Sequence, residues 1–524
     1  VEILLIRPFC RKVIYSPMDA MSIESSGSAT SLCSENGWWT PRLAGPVIVA
    51  TVARLAMLAA TLLRGGIAAL SLSDTTSYLE PGRNLILHGR YFADGVPDVL
   101  RTPGYSLFLA ITSLAGLPAA ALANVILSVF SVVLVWRLGR RAFSDERIAI
   151  GAAWIFALEP LSIANSVVLL SDTLFLALFL LTMERLAQFL RERRLPVLAA
   201  AGVWLAAATF VRPVTYYLPI ALALGLFLVL VRVPGLRWKA PAVLLISVLP
   251  WLAAWQMRNW VETRYSGFSS AAEINLYFVA SANVTSKVEH RDFNAVRKDS
   301  GYVDFANNSG QSYLFSPYLA LHPEQAGWSQ GERLAFVHAE ALHIIRSHYR
   351  VYLISCLKSL LQPVFLLGAG YQFDRPMYPE SPGRVAGFAD AAPSQWGKLI
   401  ATADPLAVVQ KIAFTAALLV LYFFAALGVR KVGMCNVYLW LLLATSLYFL
   451  AVTGAMGGPG GGARYRMPVM PAACILAAAG VVGVMETARA RRRLVADSAS
   501  AGMVRDDLVC RLQSISDTLE SAII

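Results

Sequence analysis

The chain has 524 residues, 57% of them apolar and 15% charged, with a formal net charge of +12 and a mean hydropathy of +0.57. Apolar runs of about 20 residues exclude a soluble globular protein and a membrane barrel, whose strands alternate over about ten positions. The basic charge does not mark nucleic acid, because the arginines cluster at the ends of apolar runs without a basic, aromatic-interleaved stripe.

In chain order, residues 1–42 form a cytoplasmic N-terminal segment; 22–37 are Ser-rich and read as disordered, and Met18 or Met21 is a better native start than Val1. The run 43–63 is too long for a cleavable signal and lacks a small-residue cleavage site. Basic clusters follow the positive-inside bias: Arg7, Arg11, Lys12 and Arg42; Arg137, Arg140, Arg141 and Arg147; Arg191, Arg193 and Arg194; Arg232, Arg237 and Lys239; Arg430 and Lys431; and Arg489 with Arg491, Arg492 and Arg493. With these cytoplasmic, the expected spans are 43–63, 119–136, 148–165, 172–190, 196–211, 214–231, 241–257, 408–428, 433–453 and 467–486. The fold class is thus all-α and polytopic, with about ten crossings of the plasma membrane and both ends inside. Parity makes 103–117 and 351–367 helices at the outer interface.

This divides the chain into an N-terminal transmembrane module, 43–257, with outer loop 64–118; an outer lid, 258–407; C-terminal helices, 408–486; and a cytoplasmic tail, 487–524. The lid is too short and mixed to stand as a separate domain. Its aromatics suit sugar stacking or an interfacial belt. In the tail, Leu508, Leu512, Ile515, Leu519 and Ile523 mark a short amphipathic helix. Cys10, Cys33, Cys356, Cys435, Cys474 and Cys510 form no CxxC pair and read as isolated thiols.

The outer face gathers acids and arginines next to hydrocarbon, where ionised groups are costly. Asp74 follows the first span and Asp172 opens the fourth, while Arg212, Arg258, Arg464 and Arg466 flank outer helix ends against the charge bias. Each arginine is either a headgroup anchor or an anion ligand. For Arg464-Tyr465-Arg466, beside a glycine-rich turn, an anionic ligand is the favoured reading.

Asp74-x3-Tyr78, the stretch 85–89 and Arg101-x-Pro103-Gly104-Tyr105-x2-Phe108-Leu109 resemble the first outer loop of GT-C membrane glycosyltransferases. The sequence is most similar to bacterial glycosyltransferase family 39, related to protein O-mannosyltransferases and the aminoarabinose transferase of lipid A. Ser171-Asp172-Thr173-Leu174-Phe175, Trp255-x2-Arg258-Asn259 and Ala463-Arg464-Tyr465-Arg466-Met467-Pro468 resemble three later segments of that family.

The resemblance implies inverting transfer of a sugar from a polyprenyl-phosphate donor to a hydroxyl of a protein, lipid or polysaccharide, facing the periplasm or exterior. One base and a clamp on the departing phosphate suffice. Asp74 is implied as the base, with burial raising its pKa and basicity; as a helix N-cap it has an equally sound structural role. Asp172 supports the acceptor, orients a catalytic partner or caps its span. Arg101 faces the lipid phosphate, suited by its bidentate fork, or anchors the following helix. Tyr78, Tyr105, Arg258, Arg464, Tyr465 and Arg466 complete the implied donor site. No metal ligand set is assigned; Asp94 and Asp98 with Asp74 are the candidates for a divalent cation, or a solvated turn. His338, His343 and His348 step by five and do not share a helical face. The rival function is a transporter or flippase for a lipid-linked sugar. It would place ionisable residues mid-bilayer on several helices, whereas these spans are nearly clean, and no internal repeat is evident.

Overall fold

The computed structural model describes residues 37–72, 74–302, 317–365, 405–457 and 463–500. The Ser-rich 22–37 stretch, except its last residue, and the amphipathic 508–523 pattern lie outside the described residues. Helix α1 (Ala44–Gly65) leads into α2 (Thr75–His88), a hairpin of β1 (Phe92–Ala93) and β2 (Val96–Pro97), α3 (Pro103–Thr112) and α4 (Leu117–Phe143). There follow α5 (Glu146–Ala157), α6 (Pro160–Asn165), α7 (Asp172–Glu192), α8 (Leu195–Val211), α9 (Leu218–Leu230) and α10 (Lys239–Thr263). Short helices α11 (Ala271–Asn275), α12 (Ala282–Val288), α13 (Phe293–Asp299) and α14 (Tyr318–Leu321) precede α15 (Gln330–Ser347) and α16 (Tyr349–Phe365). The chain closes with α17 (Pro405–Val432), α18 (Val437–Ala455) and α19 (Met470–Ser500).

Among the described residues, eight helical runs are long and apolar enough to cross a bilayer: those of α1, α4, α7, α9, α10, α17, α18 and α19. A helix satisfies its own backbone in hydrocarbon, and the outward faces carry exposed Ile48, Val52, Leu224, Ile246, Val420 and Phe423. One of the ten expected crossings is corrected. The run 148–165 is no single helix, because Pro160 lacks an N–H and Glu159 adopts extended backbone (φ −67°, ψ 117°), ending α5 at Ala157. Helix α8, the expected crossing 196–211, has 17 residues, at the lower end of the roughly 17–25 that span a bilayer. It nevertheless runs the length of α7, since Arg212 at its end meets Asp172 at the start of α7. At ten residues α3 extends about 15 Å, half a bilayer core.

The two ends of the bundle differ in charge chemistry. At one, Arg137 and Arg141 grip Glu184, while Arg147 and Lys431 meet Glu486. At the other stand Asp74, Arg101, Asp172, Arg212 and Arg464. Over that second end a small core joins Tyr265, Ile274, Phe278, Tyr318, Leu334 and Val337 to Val99 and Leu100 of the α2–α3 loop. Helix α16 packs on α18, where Tyr352 Oη donates to the Ala455 carbonyl at 2.7 Å; residues 366 and 367 lie outside the described residues.

Candidate active site

Glycines bring the site helices close. A Cβ on Gly82 would lie 2.1 Å from the Ser106 carbonyl oxygen, and one on Gly104 2.6 Å from that of Phe210. Helix α2 therefore rests on α3, and α3 on α8. The α1–α2 turn is tied to the α6–α7 turn: Leu169 N donates to Leu70 O at 2.9 Å, and Thr75 Oγ1 to Leu169 O at 3.0 Å.

Asp74 occupies the N-cap position of α2, yet its side chain makes no capping bond. It points instead to two arginines: Oδ1 accepts from Arg101 Nη2 at 3.1 Å, and Oδ2 from both Arg464 Nη atoms at 3.4 Å. The three side chains are 16%, 13% and 18% exposed. Burial pushes the Asp74 pKa up, but Arg101 and Arg464 outweigh it and hold the carboxyl below its ordinary value. The expected increase in basicity is thus corrected: paired with Arg101 and Arg464, Asp74 is a weak base.

Arg101 is held on every side. Nε donates to Ser77 Oγ at 2.9 Å and Nη1 to Tyr78 Oη at 3.1 Å, and the guanidinium lies 4.3 Å over the Tyr78 ring. Its backbone is set by Asp98, whose Oδ1 accepts from Leu100 N at 2.6 Å and Arg101 N at 3.1 Å. The β-hairpin turns through Asp94 and Gly95 at φ of 50° and 75°, a two-residue turn that favours Asp-Gly. Only Asp94 is solvated; Asp98 is buried. Burial pushes the Asp98 pKa up to about 7, tempered by those amides and Arg101.

Asp172, 1% exposed, accepts a short bond from Arg212 Nη1. Its Oδ2 is buried with no hydrogen-bond partner among the described residues, as is Arg464 Nε. Asp172 is also the strongest attractive charge on Arg464, so Arg464 links both acids. Asp172 occupies the first turn of α7 with Ser171 at the N-cap.

Three implied donor ligands sit differently from expectation. Arg258 turns to the backbone, donating to Asp98 O at 2.6 Å and Tyr91 O at 2.5 Å, and braces the loop that carries Arg101. Tyr105 is fully buried, its ring edge-on to Tyr78 at 5.0 Å, and forms the floor of the site. Arg466, 4% exposed, lines a cavity of about 220 Å³ with Glu159, away from Asp74. Tyr78 accepts from Arg101 and Arg464 donates to Asp74, and half-buried Tyr465 lies 5.5 Å from the Arg464 guanidinium. Sequence reasoning gave Arg212 only a generic anchor-or-anion reading from its breach of the charge bias, read Asp98 as a cation candidate or solvated turn, and assigned no role to Ser77 or Ser171.

Asp74, Asp94 and Asp98 do not fit a divalent cation: Asp98 is taken by amides and Asp74 by two guanidiniums. Among the described residues no cluster of three or more His, Cys, Asp or Glu side chains could hold a metal. Arg101, Arg212 and Arg464 face Asp74 and Asp172, three guanidiniums against two carboxylates.

Residues 104–256 match the family described as dolichyl-phosphate-mannose-protein mannosyltransferase. No curated protein sequence matches the chain. Among solved structures the chain is similar to the apo oligosaccharyltransferase of Archaeoglobus fulgidus, at 13% identity and TM-score 0.45 over 92% of this chain and 54% of that one. The archaeal oligosaccharyltransferase AglB from Archaeoglobus fulgidus, in complex with an inhibitory peptide and a dolichol-phosphate, matches at 14% identity and TM-score 0.43, over 90% and 54%. ArnT from Cupriavidus metallidurans bound to undecaprenyl phosphate matches at 14% identity and TM-score 0.34, over 86% and 80%. The chain spans about half the length of the archaeal enzymes.

Proposed function

We propose that this chain is a GT-C-type membrane glycosyltransferase that moves a sugar from a polyprenyl-phosphate donor to an acceptor hydroxyl, with inversion, at the outer face of the plasma membrane. The reading rests on one observation above all: a carboxylate, Asp74, shared between Arg101 and Arg464 at the end of a membrane helix bundle opposite the Glu184 cluster. The mannosyltransferase match over residues 104–256 supports it. The basic clusters at the opposite end support a cytoplasmic assignment for that end, leaving the site outside.

In this mechanism the acceptor oxygen attacks the anomeric carbon as the bond from that carbon to the phosphate oxygen breaks. The electron pair leaves with the phosphate, and the acceptor proton passes to Asp74. Arg101 and Arg464 stabilise the charge growing on the leaving oxygen. Donor phosphate and Asp74 compete for the same guanidiniums. Donor binding therefore strips Asp74 of its partners and strengthens it as a base when the acceptor arrives. Asp172 and Arg212 orient Arg464 and the acceptor. No metal enters the scheme.

The test uses the full-length protein in proteoliposomes with labelled sugars on polyprenyl monophosphate, polyprenyl diphosphate and nucleotide carriers. Transfer from the monophosphate alone is expected; transfer from nucleotide sugars, or from none, overturns the reading. Orientation is read from Arg90→Cys in a background lacking the native cysteines. Labelling of that cysteine only from the cytoplasmic side would contradict an outer site.

A further inference from the structure

Arg54 lies in the middle of α1 and is fully buried. A charged side chain at the centre of a span costs about 2.5–3.5 kcal/mol by insertion scales, so its surroundings must offset that. Nε donates to Ser128 Oγ at 2.7 Å, Nη1 to Ala50 O at 3.2 Å and Ala157 O at 3.0 Å, and Nη2 to Ser162 Oγ at 2.8 Å.

Two of those partners straddle the break between α5 and α6. In an unbroken helix the Ala157 carbonyl would accept from the Leu161 amide, four residues on. Here Arg54 takes the carbonyl, while Glu159 takes the Leu161 amide at 3.0 Å and the Ser162 amide at 2.5 Å. Both halves of the lost hydrogen bond are replaced by side chains, which makes the break a built feature. Glu159 is itself buried. Glu159 and Arg466 line one cavity with Leu158, Phe414, Leu418 and Met470. Arg466 ends the short helical turn Ala463–Arg466, the turn that carries Arg464 to Asp74.

We propose that Arg54 is a positioning residue: it holds the α5–α6 break, the break sets Glu159 in the cavity that Arg466 also lines and packs α6 against the turn Ala463–Arg466, and that packing seats Arg464 on Asp74. The catalytic consequence rests on the proposed function; the structural coupling does not.

Two readouts separate them in the full-length protein in nanodiscs. The first is a double-mutant cycle on Tm with Arg54→Met and Arg464→Gln. If Arg54 acts through the turn, the effect of Arg464→Gln shrinks to about half or less in the Arg54→Met background; distant independent sites would add. The second is the acid limb of kcat/KM for sugar transfer. Displacing Arg464 removes one guanidinium from Asp74, so the limb moves to higher pH in Arg54→Met, as in Arg464→Gln, and kcat falls about tenfold or more. A purely structural role lowers Tm without moving the limb. Where Arg54→Met fails to fold, Ser162→Ala and Glu159→Gln are measured in the same two ways. Additive Tm effects with an unmoved limb overturn the proposal. A wild-type protein that transfers no sugar overturns the functional reading and leaves the Tm cycle to decide the coupling.

Discussion

At each end of the bundle a carboxylate is gripped by arginines, and the two grips differ in everything but charge. Glu184 is fully buried, with Oε1 taking Arg137 Nη2 at 2.7 Å and Arg141 Nε at 2.5 Å, and Oε2 lying 3.4 Å from Arg185. Trp38 covers that cluster, its ring 3.6 Å from the Arg137 guanidinium. Asp74 is 16% exposed and holds Arg101 and Arg464 at 3.1 and 3.4 Å. The sealed pair can only join α4 to α7. The reachable pair can exchange its arginines for a ligand, and that difference separates a structural ion pair from a candidate catalytic one.

The contrast breaks or sharpens first on stability. Glu184→Gln leaves Arg137 and Arg141 buried without a counter-charge and should cost roughly 3–5 kcal/mol. Asp74→Asn leaves Arg101 and Arg464 without their carboxylate but partly open to solvent, at 13% and 18% exposure, and should cost less than Glu184→Gln. Thermal unfolding in detergent measures both, and equal losses would erase the distinction.

Arg101→Ala should raise the donor KM about 10- to 100-fold, as expected for a lost charge-assisted bond of about 1.5–3 kcal/mol. Arg101→Lys should recover little, because lysine has no fork to reach Ser77, Tyr78 and Asp74 together. An unchanged KM in both variants would remove Arg101 from the donor site.

A subtler effect concerns pH. Asp74 is held below its ordinary pKa in the free protein, and donor binding draws its arginines away. The acid limb of kcat, which reports the complex, should lie at higher pH than that of kcat/KM, which reports the free protein. Coincident limbs would refute the competition.

The smallest expected effect is at Asp98, whose pKa burial raises from 3.8 to about 7. The folded protein binds a proton there that the unfolded chain releases. Its contribution to stability is therefore full below about pH 4 and lost as pH rises through 7. Asp98→Asn keeps an acceptor for the Leu100 and Arg101 amides, so its Tm should fall less than that of wild type between pH 5 and 8. Parallel Tm curves would contradict the raised pKa.

The helical class and the basic end were legible because apolar runs and arginine clusters report directly on hydrocarbon and charge bias. The Asp74–Arg101 pair lies within one loop, and its motif was visible by resemblance. Arg464 meets Asp74 across 390 positions, which only packing reveals. Glu159-Pro160 carried the signal of a broken helix, but apolar content around it suggested a continuous span. Arg54 passed unnoticed because its partners are serine hydroxyls and carbonyls, which leave no charge pattern. Arg258 looked like a phosphate ligand, yet the carbonyls it braces carry no side-chain signature. The acidity of Asp74 also escaped, since burial alone predicts the opposite shift and both opposing arginines had been assigned to the donor.

The most direct measurement is sugar transfer from a polyprenyl-phosphate donor by Asp74→Asn, compared with wild type at equal folded concentration. Removing a general base should lower kcat by about 10²–10⁴-fold while donor binding persists, because Arg101 and Arg464 lose their competitor. Wild-type turnover in a folded Asp74→Asn protein would contradict the assignment of Asp74 as the base.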